Sequence, residues 1–392
     1  MKQFFSVSAY LALKEIWRNR GRFLLVSLVI ALITLLVLFI AALGEGLGNG
    51  NREYISKLDG QLIVYQAKSD SLIAASHLDT DRVAQIRRVD GVADAGMVGT
   101  SNATVVLSGG ASGASSLKVA LLGVEPGHVG EPKVVEGRQL SRNTANEVII
   151  DRSTALRSKL KVGDEMTFRV VQGTDDKFFT ETIVGITSGE QYGLQPSIFA
   201  PFQTWNRVRP QSEAELNSAT ATANIIVVRL QDPKNISGVQ KNLLAKVENI
   251  DIATINQAIQ ALPGYTAQQS TLNTQGAFTL FIGLLVIGGF FQIQLLQKVP
   301  QIGVLKAIGT SNPAVAAASV IQIVVTTMIG VAIGGVLTYL FSLSFPPTVP
   351  IVFNGTTSAI ALAALLVIGP VGGLVSIRYA VRIEPLKALG LS

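Results

Sequence analysis

The sequence predicts an α-helical membrane protein of four transmembrane helices, with one large extracellular α+β domain inserted between the first and the second. Three observations predict it. Four long apolar runs contain no Asp, Glu, Lys, Arg or His, and a helix needs about 20 apolar residues to cross the hydrocarbon core. A polar insert with short β-like segments separates the first run from the other three. Lys and Arg collect on one side of the runs, as they do in cytoplasmic segments.

Composition excludes several classes at once. Of 392 residues, 48% are hydrophobic and only 15% charged, whereas soluble domains carry about 25% charged residues. Cysteine is absent, which removes disulfides, thiolate nucleophiles, Cys-ligated zinc and iron–sulfur clusters. With only His77 and His128, one chain cannot build a three-imidazole site.

The four spans are expected at 23–43, 276–296, 314–340 and 357–377. The first is longer than the 7–15-residue apolar core typical of a signal peptide, and a long region precedes it, so it reads as an uncleaved anchor. The segments 1–22, 297–313 and 378–392 together hold ten basic and two acidic residues, against 22 and 24 in the remainder. These three segments are therefore expected inside and 44–275 and 341–356 outside, with both termini cytoplasmic and the chain in the cell membrane. The net charge of +6 is then an orientation signal and not a nucleic-acid footprint.

Ahead of the first span, Val7, Tyr10, Leu11, Leu13 and Trp17 recur at near-helical spacing with Lys14, Arg18 and Arg20 interleaved. The pattern predicts an amphipathic helix on the inner leaflet over Ser6–Arg20. In the insert, strands are expected at 61–65, 103–107, 118–123, 147–150, 165–171, 180–186 and 224–230, and helices at 79–88, 153–160 and 236–248. Ser108–Ser116 is rich in Gly and Ser and reads as a loop; Ile252–Asn273 is polar and reads as a helix feeding the second span. Gly330 and Gly334, and Gly369 and Gly373, are spaced to allow close helix contact, although spacing alone does not show that they are used so. Pro346, Pro347 and Pro350 exclude a regular helix in the outer hairpin.

No Gly-Lys dipeptide occurs, hence no P-loop, and neither Gly-x-Ser-x-Gly nor His-Glu-x-x-His is present. The chain is expected not to be an enzyme by itself. The segment 297–313 is the most informative: a short helix there would put Ile302, Leu305 and Ile308 on one side and Lys306 near lipid phosphates. Such an element suits contact with a cytosolic partner, or a re-entrant connector.

The run QIGVLKAIGTS (301–311) resembles the coupling segment of MacB/FtsX-type ABC transporter permeases. ALKEIWRNRGRFLLVSLVIAL (12–32) resembles their inner amphipathic helix and first span, RIEPLKALG (382–390) their C-terminal motif, and the 134–168 stretch their external β module. Within that family the wording at 38–66, 297–309 and 319–323 is most similar to the HrtB-type heme exporters. The resemblance implies a homodimer working with a separate, HrtA-like cytosolic ATPase that carries ATP and Mg; the permease holds no cofactor of its own. Gln301, Ile302, Gly303, Leu305, Lys306 and Gly309 would couple to that subunit. The substrate, heme, would enter laterally from the membrane between the two copies and be expelled outward.

Heme is planar and apolar with two propionates, and asks for an apolar slot, an axial ligand and cationic partners. Glu45, the first charge beyond the first span, lies in Gly44-Glu45-Gly46-Leu47-Gly48. One copy from each protomer would meet at a dimer seam and ligate ferric iron; alternatively, Glu45 only marks the helix end in the headgroup region. Tyr54 is a further ligand candidate or an interfacial anchor, Arg52 a propionate partner with Asn49 and Asn51 as weaker ones, and Phe278 and Phe281 walls of the slot. His77, His128, Met97 and Tyr65 are remaining ligand candidates, and Phe290 and Phe291 lie deeper on the second span. Three rival functions stay open: export of another amphiphile by the same architecture, FtsX-like signalling to a wall hydrolase, or a receptor without an ATPase.

Overall fold

The computed structural model describes residues 14–107, 115–216, 221–345, 349 and 351–382. In chain order the first elements are α1 (Arg20–Lys57), β1 (Leu62–Gln66), β2 (Leu78–Asp79), α2 (Asp81–Arg87), β3 (Val92–Leu107), β4 (Ser115–Val124), β5 (Val134–Gly137), β6 (Glu147–Asp151) and α3 (Arg152–Ser158). Then come β7 (Glu165–Gln172), β8 (Asp175–Thr187), β9 (Ser197–Pro201), α4 (Phe202–Val208), α5 (Glu213–Leu216), β10 (Thr222–Ala223), β11 (Ile225–Leu230), α6 (Ile236–Lys246) and β12 (Ile250–Thr254). The last are α7 (Ile255–Ala261), α8 (Tyr265–Leu296), α9 (Val299–Ala307), α10 (Asn312–Ser342) and α11 (Gly355–Arg382). The chain divides into two compact units, one of Met1–Gly46 with Gln269–Ser392, the other Leu47–Gln268.

The first unit holds the four apolar runs, each inside a helix long and apolar enough to cross a membrane. Its outward side chains are apolar: Leu285, Ile293, Val336 and Val367 are each more than half exposed. No soluble fold leaves so much aliphatic surface uncovered; in lipid it costs nothing. Inside the unit the glycine pairs are used for close contact. A Cβ on Gly330 would lie 2.6 Å from Ile30 Cβ, and one on Gly334 would lie 2.6 Å from the Ala31 carbonyl, so α10 rests directly on the α1 backbone. Gly369 and Gly373 face Thr327 and Ile323 in the same manner, and Gly288 meets Gly372 between α8 and α11. Ser27 Oγ adds a hydrogen bond to the Thr326 carbonyl at 3.2 Å. With no water to expel, helices associate in lipid through such packing and interhelical bonds. Most of the amphipathic segment expected at Ser6–Arg20 lies outside the described residues, but 14–18 are helical. Pro346, Pro347 and Pro350 also lie outside the described residues, as do 108–114 of the Gly/Ser-rich loop.

The second unit is a ten-stranded sheet in the order β12-β1-β11-β3-β4-β9-β6-β8-β5, with β7 bridging β3 and β8. Most pairs are antiparallel; β4 with β9 and β6 with β8 are parallel. Both faces are covered, which is why β1 reads as an unbroken apolar run. Leu62 and Val64 enter one core with Phe202, Trp205 and Leu243; Ile63 and Tyr65 enter the other with Tyr54, Ile55 and Leu262. Trp205 lies flat across Gly99 and Gly123, where any Cβ would overlap its ring, and its Nε1 donates to Ser101 Oγ at 2.9 Å. The seven expected strands are present. β3 and β8 begin well before the expected starts, and β2, β5, β9, β10, β12, α4 and α5 were not expected. The polar stretch 252–273 is not one helix: it closes β12, forms α7, breaks at Leu262–Gly264 and restarts as α8.

Gly330→Val is expected to lower the melting temperature of the detergent-purified chain, by the equivalent of about 1–3 kcal/mol of overpacking. Gly335→Ala, where nothing lies within 4 Å, is expected to leave it unchanged. Equal melting temperatures for Gly330→Val and wild type would contradict the contact with α1.

Candidate functional site

At the end of the membrane unit opposite the N-terminus, α1, α8 and α11 diverge around a groove of about 420 Å³. Val37, Ile40, Leu272, Leu280 and Ile360 give it aliphatic walls; Gln269 and Asn273 add amides. Among the described residues its one ionisable lining group is Glu45. The helix carries this carboxylate because α1 continues through the glycine-rich segment, where Gly44 admits Leu272 of α8 at 3.2 Å from an added Cβ.

Glu45 is half-buried and held by Asn354, whose Nδ2 donates to Glu45 Oε1 at 3.2 Å. Asn354 also caps α11: its Oδ1 accepts from the Thr356 amide at 3.0 Å, satisfying a donor that a helix start leaves unpaired. The Val352 amide donates to the Ala42 carbonyl at 3.1 Å, a second tie between that loop and α1. One asparagine thus sets both the start of α11 and the orientation of the carboxylate. Asn354 was missed in the sequence, although an Asn just before a Gly-Thr-Thr helix start is a recognisable capping signal.

The other ligand candidates fare differently. Tyr54 is corrected: it is 1% exposed in the sheet core of the second unit, and its Oη donates to the Gly130 carbonyl at 2.8 Å. Burial raises that phenol well above its ordinary pKa, so it is neither an interfacial anchor nor an open ligand. Arg52 also belongs to the second unit; it donates to Tyr265 Oη at 2.8 Å and to Asn49 Oδ1 at 3.3 Å. Phe278 and Phe281 are 63% and 55% exposed and do not line the Glu45 groove, which is walled instead by their neighbours Ala277, Thr279 and Leu280. Tyr65 and Met97 are core residues. His128 is taken by Asp94, with Nδ1 to Oδ1 at 2.8 Å, and His77 lies on the surface of the second unit.

The segment 297–313 contains the short helix α9. Ile302 and Gly303 are buried and Leu305 half-buried, but Ile308 lies past the helix end and is 75% exposed, so the expected three-residue apolar side is not formed. Gly309 ends the helix at φ +95°. The amides of Gly309 and Thr310 donate to the carbonyls of Lys306 and Leu305, each at 3.0 Å, a glycine-dependent C-cap. Val304 is exposed and Lys306 half-buried beside this turn.

In the second unit a set of buried carboxylates draws notice. Burial pushes Glu190 up to about 7, reinforced by Glu53 and Asp151 and opposed by Lys57 and Lys133. Asp151 is pushed up to about 6 by burial, although it accepts from the Thr154 amide as the cap of α3. Burial raises Glu181 to about 7 against the pull of Arg207 at 3.1 Å. Among the described residues no group of three or more His, Cys, Asp or Glu could hold a metal ion.

Two family models match the chain: a MacB-like periplasmic core domain over residues 23–246 and an FtsX-like permease C-terminal region over 274–385. A Staphylococcus haemolyticus protein provisionally named hemin transport system permease HrtB is 25% identical over 386 residues, covering 97% of this chain and 99% of its own length. Its Staphylococcus epidermidis counterpart is 26% identical over 384 residues with the same coverage. Among solved structures, the extracellular domain of the noncanonic ABC-type transporter YknZ from Gram-positive bacteria matches at 13% identity and a TM-score of 0.35, covering 49% of this chain and 99% of that one.

The buried carboxylates make stability depend on pH. Their folded pKa values lie above the unfolded ones, so their contribution is full below about pH 4 and is lost as pH rises through 6 to 7. The melting temperature of the second unit, followed in the full chain in detergent, is expected to fall between pH 5 and pH 8. Glu190→Gln should remove about 2–3 kcal/mol of that loss. A flat wild-type profile would contradict the burial of these acids.

Proposed function

The chain belongs to the MacB/FtsX family of ABC transporter permeases, and from that premise we propose that it is the membrane subunit of an ATP-driven exporter whose cargo is heme. The observation that carries the reading is Glu45, a half-buried carboxylate held by Asn354 in an otherwise uncharged, largely aliphatic groove at one end of the spans. The full-length similarity to relatives named for hemin transport supports the same cargo.

In this reading the termini are cytoplasmic and the groove opens at the outer leaflet. Two copies form a homodimer that brings one Glu45 from each protomer to a shared slot. Heme partitions into the membrane, enters sideways, and lays its apolar plane against Ile40, Leu272 and Ile360. The carboxylates supply hard, anionic oxygen ligands suited to ferric iron. Phe278 and Phe281, exposed on α8, face the second copy or lipid beside the slot. An HrtA-like ATPase dimer, holding ATP and Mg, engages α9 through Gln301, Lys306 and the turn at Gly309. Because α9 follows α8 after only Gln297 and Lys298, a push on α9 is delivered to the helix that lines the groove. Closing the groove expels the cargo outward.

A hemin titration of the purified chain, followed in the Soret band, tests the reading. Wild type is expected to bind saturably and Glu45→Ala to bind at least about tenfold more weakly, with an altered ligand-field spectrum. Asn354→Ala should weaken binding less, by freeing the carboxylate to rotate. In the assembled complex, hemin should stimulate ATP hydrolysis and neutral lipid or peptide should not. The absence of saturable hemin binding would overturn the cargo and favour another amphiphile.

A further inference from the structure

We infer that a second cavity, at the other end of the membrane unit, is a binding site for the headgroup of an anionic phospholipid. The cavity has a volume of about 600 Å³ and lies between residues 14–19, the last turns of α8, α9 and the first turns of α10. Among the described residues Lys14, Arg18 and Lys298 line it against a single carboxylate, Glu15.

Lys298 and Glu15 neutralise each other. Their Nζ and Oε1 are 2.6 Å apart, Lys298 donates to Gln322 Oε1 at 2.9 Å, and Gln322 Nε2 returns a bond to Glu15 Oε2 at 2.5 Å. This network ties the N-terminal segment to α10 and to the residue just before α9. Among the described residues the lining is net basic, and Lys14 and Arg18 are both exposed. Gln294, also in the lining, is 7% exposed, and its Nε2 has no hydrogen-bond partner among the described residues. A buried donor is normally paired, so this one points to a ligand that supplies acceptors.

The same cavity has an apolar floor of Phe291, Leu295 and Ile323. A phosphodiester offers acceptor oxygens only, which suits a net basic lining and an amide donor; the glycerol and first methylenes suit the floor. The site sits at the end of the spans where basic residues concentrate, the level of anionic headgroups in the cytoplasmic leaflet. A bound lipid would brace α9, whose Gln301 and Leu305 form one wall. The inference rests on the membrane placement of the chain and not on heme as cargo.

The test uses the full-length chain, stripped of lipid in detergent, with phosphatidylglycerol, phosphatidylcholine and inorganic phosphate as probes. Native mass spectrometry and thermal melting are expected to show retention of phosphatidylglycerol and a raised melting temperature with that lipid alone. Lys14→Gln and Arg18→Gln should each weaken its binding about fivefold, and Gln294→Leu should weaken it while the lipid-free melting temperature is kept. Equal effects of the two lipids, or unchanged affinity in the exposed Arg18→Gln variant, would overturn the site as a headgroup pocket. An equal shift from inorganic phosphate would make it a free-anion site, and displacement of the lipid by hemin would make it a cargo site; either result overturns the proposal. Hemin binding at Glu45 can fail without altering any of these readouts.

Discussion

The membrane unit depends on how closely helix backbones can approach in lipid. Apolar side chains gain nothing by leaving lipid for one another, so a bundle forms only where packing is intimate or polar groups pair. Here α10 lies against α1 at Gly330 and Gly334, with Ser27 bonded to Thr326 across the contact. The second glycine pair, Gly369 and Gly373, does the same for α11 on α10. This leaves α8 and α11 free to diverge from α1 toward one end, where the groove around Glu45 forms.

A carboxylate at that depth is tolerated because it is half-exposed and accepts a hydrogen bond. Its partner Asn354 is committed to the start of α11, so the orientation of the carboxylate and the helix cap cannot vary independently. At the opposite end the polar groups are handled differently. Lys298 is ion-paired with Glu15, and Gln322 bonds to both of them, which ties the residue before α9 to the N-terminal segment and to α10.

The second unit follows the rules of soluble proteins. Its sheet is covered on both faces, and successive residues of β1 enter opposite cores. That double burial explains why Tyr54 was misread. A tyrosine shortly after a span looks like an interfacial anchor, yet the last turns of α1 are part of one sheet core, and Tyr54 packs against Phe199 with its hydroxyl on the Gly130 carbonyl. Arg52, expected as a propionate partner, donates to Tyr265, more than 200 residues away in sequence, as well as to Asn49. Such partners come from distant segments, and local pattern carries no trace of them.

The amino-acid sequence by itself determined the four apolar runs, the large insert, the charge bias and the family, because span length and residue type act locally and sum along the chain. It also singled out Glu45, since one acid at the end of a charge-free run is conspicuous without knowing its neighbours. Only the tertiary structure decided that the glycine pairs are contacts, that Asn354 holds Glu45, that Phe278 and Phe281 face away from the groove, and that Gln294 ends buried without a partner among the described residues. Each of these depends on which residues of remote helices meet, a geometry set by packing and backbone approach.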